Sequence, residues 1–293
     1  MTAPSTAVPE GSPPPTLSPG GRTALRALLI AVACAAVAGL VVSLAGLAWG
    51  VSRFRVVADT LALPATLRAV AVDTGSVPVA IRITSDRDAT QPRVDMRMVS
   101  ATRAGSEPLT LSEDGSTARV SIESESSPLL HWGRAGEITL VLPPEMARGL
   151  TVTTTQQMGV VFAEADIDQL VAKTSEGAVV LSGSARRIEI TNSHGDVRTR
   201  AAISVTESFR AVTETGDISV DFAAAPKTVD AETGHGDVAV AVAGPGPFVV
   251  DASTGRERSA TVIRVPQTRN ADEATAVITA RSDDGDVLVD ALR

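Results

Sequence analysis

The chain has 293 residues, a net charge of −8 and one cysteine, Cys34. That length allows one or two domains with appendages, and a lone cysteine excludes an internal disulfide or a cysteine-based metal cluster. Residues 1–55 carry Arg22, Arg26, Arg53 and Arg55 against Glu10, a local charge of +3, so the remainder holds −11. An acidic surface repels phosphate backbones, which argues against nucleic acid as a partner. Aromatics are scarce, with two Trp, five Phe and no Tyr. A core drawn from Val, Ala and Thr suits thin, regular β-structure better than a thick globular interior.

In chain order, residues 1–24 come first. Pro4, Pro9, Pro13, Pro14, Pro15 and Pro19 stand among Ser, Thr and Gly, which predicts a disordered Pro-rich tail. A transmembrane helix is expected over 25–51, because "ALLIAVACAAVAGLVVSLAGLAWGV" at 27–51 has 25 positions without a charge. As a helix it reaches about 37 Å, against about 30 Å for a bilayer core. Trp49 fits an interfacial anchor, and Arg26 and Arg53 bracket the run. The competing reading is a signal peptide cleaved after Ala48, but such apolar regions run only about 7–15 residues. The flanking arginines nearly balance. The N-terminus is expected in the cytoplasm because the cysteine-free, Thr/Ser/Gly-rich remainder suits the outside of the cell. The expected localisation is therefore the cell membrane, single-pass, with an extracytoplasmic C-terminal domain.

Residues 52–137 read as longer strands with polar loops, namely "GSVPVAIRIT", "QPRVDMRMVSA" and "STARVSIES". They are expected to form broad first coils or a small capping sheet. From 138 to 293 the chain repeats. Gly159, Gly177, Gly195, Gly216, Gly236, Gly255 and Gly285 are separated by 18, 18, 21, 20, 19 and 30 residues, the last gap holding an insertion, "PQTRNADEAT" at 266–275. Around each glycine the pattern is strand, turn, strand, as in "TVDAETGHGDVAVAV", where Val238, Val240 and Val242 share a face. Two short strands and two turns take about 20 residues, which is one coil of a β-solenoid. Single coils cannot bury an apolar face, whereas stacked coils bury a continuous narrow core. The expected fold class is all-β, a parallel β-helix or solenoid of about 20-residue repeats after one transmembrane helix. The alternative is an antiparallel β-sandwich with the Gly-Asp steps as hairpin turns.

The "S/T-x-x-G-D-V-x-V" units, preceded by "ITLVLPPEMARGLTVTTT" at 138–155, resemble the bacterial putative-adhesin domain of unknown function with β-strand repeats. The resemblance covers approximately residues 70–290. It implies a right-handed parallel β-helix with a single-helix tether, and it brings no catalytic residues. Gly159, Gly177 and Gly255 depart from the motif, since none is followed by Asp.

Little in the sequence points to chemistry. His194 and His235 occupy the same slot two repeats apart, about 9.6 Å in register and too far to share one metal directly. With His131 they read as exposed histidines. Asp196, Asp217 and Asp237 form a column that could hold calcium, but the dense "GGxGxD" ligand pattern is missing. Capping of backbone amides is the simpler use. No "GxSxG", "HExxH" or phosphate-cradling loop occurs. Asp283 and Asp284 are like charges in a turn, and Trp132 is the one tryptophan outside the anchor region. No catalytic residue, metal ligand or cofactor is expected. The expected function is a non-enzymatic, membrane-tethered adhesin, scaffold or envelope sensor. Its partner would be an envelope protein or cell-wall material, and the alternative is a polysaccharide-acting enzyme. A C-terminal edge at 274–293, where the last repeat ends without a capping helix, offers a template for a partner or a second copy; the competing reading is that Asp283, Asp284, Asp286 and Asp290 serve there to discourage pairing.

Overall fold

The computed structural model describes residues 19–51, 55–100, 109–122 and 136–292. The chain divides into two compact units, residues 1–54 and 55–293. The first contains helix α1 (Pro19–Val51). Proline suits the first turn of a helix, where its missing N–H has no partner to lose, and the Ala/Leu/Val run that follows carries no breaker. Every described side chain of α1, from Leu28 to Leu44, is exposed, so the helix is apolar on all sides. Among the described residues no helix is long and apolar enough to cross a membrane. The expected transmembrane segment at 25–51 falls within the α1 helix, for which no membrane crossing is shown. The expected tail lies outside the described residues up to residue 18, as do the side chain of Trp49 and all of His131 and Trp132.

The second unit is mostly β. Strands β1 (Arg55–Ala62), β2 (Ala69–Gly75), β3 (Val79–Ser85), β4 (Arg93–Ser100), β5 (Leu109–Asp114), β6 (Thr117–Ile122) and β7 (Gly136–Leu142) come first. A one-turn helix, α2 (Pro144–Ala147), leads into the repeats. These are β8 (Thr151–Ala163), β9 (Ile167–Leu181), β10 (Ser184–His194), β11 (Val197–Thr199), β12 (Ile203–Thr215), β13 (Ile218–Ala224), β14 (Thr228–His235) and β15 (Val238–Val242). The last four are β16 (Phe248–Thr254), β17 (Thr261–Ile263), β18 (Ala276–Asp284) and β19 (Val287–Ala291).

From β8 onward the pairing is parallel, each strand bonding to its counterpart one repeat away. The strands flanking a Gly-Asp step are not paired as hairpins, so the antiparallel sandwich is not what forms. One ladder runs β2–β8–β9–β10–β12–β14 and the other β3–β8–β9–β11–β13–β15. Strands β8 and β9 belong to both, bending through the corner without a break. Their glycines, Gly159 and Gly177, are two of the three that lack the following Asp. Among the described residues antiparallel pairing is confined to β1–β4, β4–β7 and β5–β6, at the N-terminal side.

The in-register stacking aligns like residues. Val152, Leu170, Ile188, Phe209, Val229 and Ile278 form one inward column, and Ala172, Ile190, Ala211, Ala231 and Ala280 form its neighbour. All are buried at 5% exposure or less. Phe209 and Phe222 meet across the core edge-to-face, with centroids 5.2 Å apart, a geometry that adds about 0.5–1.5 kcal/mol to the burial itself. The alanine column keeps the interior narrow enough for the two ladders to close on each other.

Rung order departs from chain order at the end. Strand β18 lies between β14 and β16, and β19 lies between β15 and β17. The last repeat is thus inserted beneath the one that precedes it in sequence. The expected edge at 274–293 is corrected: its strands are bonded on both sides, and Ile278 and Val289 are fully buried. The end rung is β16 with β17, where Val250, Ala252 and Ile263 are only partly covered. The connecting segment 264–275, which contains the insertion at 266–275, makes this exchange possible. It passes along β16, where the Phe248 N–H donates to the Pro266 carbonyl at 2.9 Å and the Thr268 N–H to the Phe248 carbonyl at 2.8 Å. Ile278→Ala should therefore destabilise the 55–293 unit by about 2–4 kcal/mol in urea unfolding. Val250→Ala, one rung out, should cost less than half as much. Equal losses would contradict the inserted rung.

Candidate functional site: the glycine-aspartate corner

Each repeat turns at its glycine, and the glycines stack. Gly177, Gly195, Gly216 and Gly236 have φ between +132° and +143°, a region that side-chain-bearing residues rarely adopt. Space excludes a side chain too. A Cβ on Gly177 would lie 1.6 Å from the Gly159 carbonyl oxygen, and one on Gly216 would lie 2.2 Å from that of Gly195. The corner is thus a backbone-on-backbone contact repeated up the stack.

The aspartates form a hydrogen-bonded ladder. The Asp217 N–H donates to Asp196 Oδ1 at 3.1 Å, the Asp237 N–H to Asp217 Oδ1 at 2.8 Å and the Asp286 N–H to Asp237 Oδ1 at 2.8 Å. Ala260 N–H closes the series on Asp286 Oδ1 at 2.8 Å. Each carboxylate is committed to the next rung's backbone, the capping use expected from the sequence. A fixed negative end on an N–H is a charge-assisted bond, about twice the strength of a neutral one.

Inside the corner runs a second ladder, of the polar residue three positions before Gly195, Gly216, Gly236 and Gly285, joined at the end rung by Thr254, which directly precedes Gly255. Thr233 Oγ1 donates to the Gly216 carbonyl at 2.9 Å, Ser282 Oγ to that of Gly236 at 2.7 Å and Thr254 Oγ1 to that of Gly285 at 2.9 Å. Asn192 Nδ2 donates to both Gly177 and Gly195, at 3.0 and 2.8 Å. These donors satisfy glycine carbonyls that would otherwise be stranded in the core. The motif "S/T-x-x-G-D" was visible in the sequence, but its first position had no assigned task there. Its spacing of three before the glycine was the signal.

His194 and His235 stand as expected, two rungs apart, with Thr215 between them in register and Asp284 beyond His235. Glu176 borders His194 on the other side. Among the described residues no group of three or more His, Cys, Asp or Glu is placed to hold a metal ion. Cys34 is exposed on α1. A small cavity in the middle of the stack is lined by residues that include Leu170, Leu181, Ile188 and Ile203, and no ionisable side chain borders it.

Ionisable groups meet on the outer faces, as clamps across rungs. Arg186 of β10 grips Asp168 of β9 through two bonds of 2.8 Å and reaches Glu207 of β12 at 2.8 Å, which Arg187 also holds at 2.7 Å. The hydrogen bond from Arg186 holds the Asp168 carboxyl below its ordinary range, and Arg187 with Arg186 does the same to Glu207. Arg82 joins Glu137 and Glu164, each at 2.8 Å, and Arg200 joins Glu164 at 3.1 Å. Both guanidinium groups lie over the Phe162 ring, at 4.7 and 5.8 Å from its centroid. Arg281 of β18 ties Asp251 of β16 to Glu232 of β14, stapling the inserted rung to both neighbours.

No family model and no curated relative matches the chain. Among solved structures it is similar to a putative cell adhesion protein from Clostridium sporogenes, at 10% identity and a TM-score of 0.37, covering 81% of this chain and 100% of that one. It is also similar to putative adhesins from Bacteroides fragilis (13% identity, TM-score 0.40, 81% and 97% covered) and Parabacteroides distasonis (10% identity, TM-score 0.36, 80% and 97% covered).

Gly216→Ala should lower the unfolding free energy of the 55–293 unit by about 2–4 kcal/mol, since it meets both a positive φ and a carbonyl. Gly149→Ala, where a Cβ has room, should stay within about 0.5 kcal/mol. Similar costs at both positions would remove the corner's close approach as the constraint. A second expectation concerns acid. Depressed carboxyl pKa values contribute stability that is present above the unfolded value of about 4 and lost as pH falls below it. The melting temperature should fall over that window, and Arg186→Leu should flatten the fall, modestly because the clamp is partly exposed. An unchanged acid limb in Arg186→Leu would show that the clamp is not linked to folding.

Proposed function

We propose that the chain is a membrane-tethered, extracytoplasmic right-handed parallel β-helix that acts by surface contact, as an adhesin, scaffold or envelope sensor, and not by catalysis. The observation that carries the reading is the repeating parallel register. It stacks the outward residues of each rung over those of the next and sets arginines against carboxylates of neighbouring rungs, as in Arg186 with Asp168 and Glu207. A surface of this kind offers long, flat, regular faces for an extended partner, such as an envelope protein or cell-wall polymer. The tether rests on α1, whose apolar residues face outward on every side. A helix that is apolar all round calls for an apolar surrounding.

The test has two arms. External protease on spheroplasts should digest the 55–293 unit and spare the N-terminal tail. Digestion of the tail with protection of the β unit would reverse the topology, and release of the intact chain by a salt wash would exclude the tether. Purified 55–293 should then co-sediment with cell-wall sacculi or with isolated envelopes. Recovery in the supernatant from both would remove surface contact with the envelope as the function.

A further inference from the structure

The inner polar ladder is satisfied along its C-terminal half and unsatisfied along its N-terminal half. Thr74, Thr154, Gln156, Thr174 and Asn192 are each at least 95% buried. Thr74 Oγ1, Thr154 Oγ1, Gln156 Oε1 and Nε2, Thr174 Oγ1 and Asn192 Oδ1 have no hydrogen-bond partner in the protein. The register places them together. Gln156 pairs with Thr174 and Thr174 with Asn192, while Thr74 lies on β2 beside the start of that column and Thr154 two residues before Gln156. Beyond Asn192 the same column continues as Thr213, Thr233 and Ser282, every one of which donates to backbone carbonyls.

The chemistry of the unsatisfied atoms identifies the ligand. Asn192 Nδ2 is committed to two carbonyls, so its amide cannot turn over, and its Oδ1 faces the column as an acceptor in want of a donor. Gln156 needs both a donor and an acceptor, and each threonine hydroxyl can serve as either. A bare cation would satisfy only the acceptors and an anion only the donors. The column holds no charged side chain to neutralise either, and an uncompensated buried ion is costly. Water alone meets both demands. The geometry agrees: side chains on successive rungs repeat at about 4.8 Å, too far for a direct bond. A water bonded at about 2.8 Å to each of two such atoms subtends about 118°, close to its own preferred angle.

We propose that a file of ordered internal waters occupies the column from Thr74 to Asn192, bridging Gln156, Thr174 and Asn192 across successive rungs. The C-terminal half of the ladder is dry and bonded directly.

Relaxation dispersion of solvent deuterium and ¹⁷O, measured on the full chain in detergent, counts long-lived internal waters. The parent should show them. Thr174→Val and Gln156→Leu should each reduce the dispersion amplitude and lower the melting temperature. Thr233→Val should leave the amplitude unchanged, because its hydroxyl is bonded directly. An amplitude equal in all four proteins, or a melting temperature that rises in Thr174→Val, would overturn the proposal. If either column variant fails to fold, a high-resolution crystal structure of the parent decides. A solvent oxygen within hydrogen-bonding distance of Asn192 Oδ1 is expected. Direct contacts among Gln156, Thr174 and Asn192, or a site coordinated by oxygen atoms alone, would overturn it.

Discussion

Successive corners of this protein touch through bare backbone, and the rest of the β unit depends on that contact. The Gly195 carbonyl sits where a Cβ of Gly216 would be, and the Gly216 carbonyl does the same to Gly236. Rungs a strand spacing apart can meet so closely only if the side chain is missing. Two ladders then follow from one turn. The aspartate after the glycine reaches outward to the next rung's N–H, and the hydroxyl or amide three residues before it reaches inward to a glycine carbonyl. Neither bond would form if the corners were splayed by a methyl group.

That geometry also dictates the core. Strands locked in register at the corner must place like residues above like, so one inward column is large and apolar and the next is mostly alanine. The scarcity of aromatics is a consequence. The interior has room for Phe209 and Phe222 to meet at one level, and the neighbouring alanines supply that room. On the outside, the same stacking brings arginine and carboxylate rows within reach of each other. Clamps such as Asp168–Arg186–Glu207 span three rungs and tie them together.

The closure of the stack is less regular than its middle. The last repeat enters between two rungs that precede it in the chain, and it is held there on both sides by strand pairing and by Arg281. The connecting segment 264–275 allows the chain to pass the end rung and come back. The apolar end of the core is consequently finished by β16 and β17, short strands with charged residues nearby, and not by the residues that come last.

Much of this was legible in the sequence. Period-two alternation around evenly spaced glycines specified short strands and an all-β unit, because side chains on a strand alternate faces. The Gly-Asp step announced an amide-capping carboxylate, and equal spacing of His194 and His235 placed them two rungs apart. Of the three glycines that lack the aspartate, Gly159 and Gly177 lie inside continuous strands, whereas Gly255 follows the end of β16. What the sequence by itself could not determine was which rung stacks on which. The repeats present nearly the same apolar face and the same edge, so any one could lie against any other as far as local pattern goes. Only the tertiary structure, through the reach of 264–275 and the pairing of Arg281 with Asp251 and Glu232, decided that β18 and β19 lie inside the stack. The inner ladder was hidden for a related reason: whether a buried hydroxyl finds a carbonyl depends on the next rung's backbone, which its own strand does not contain.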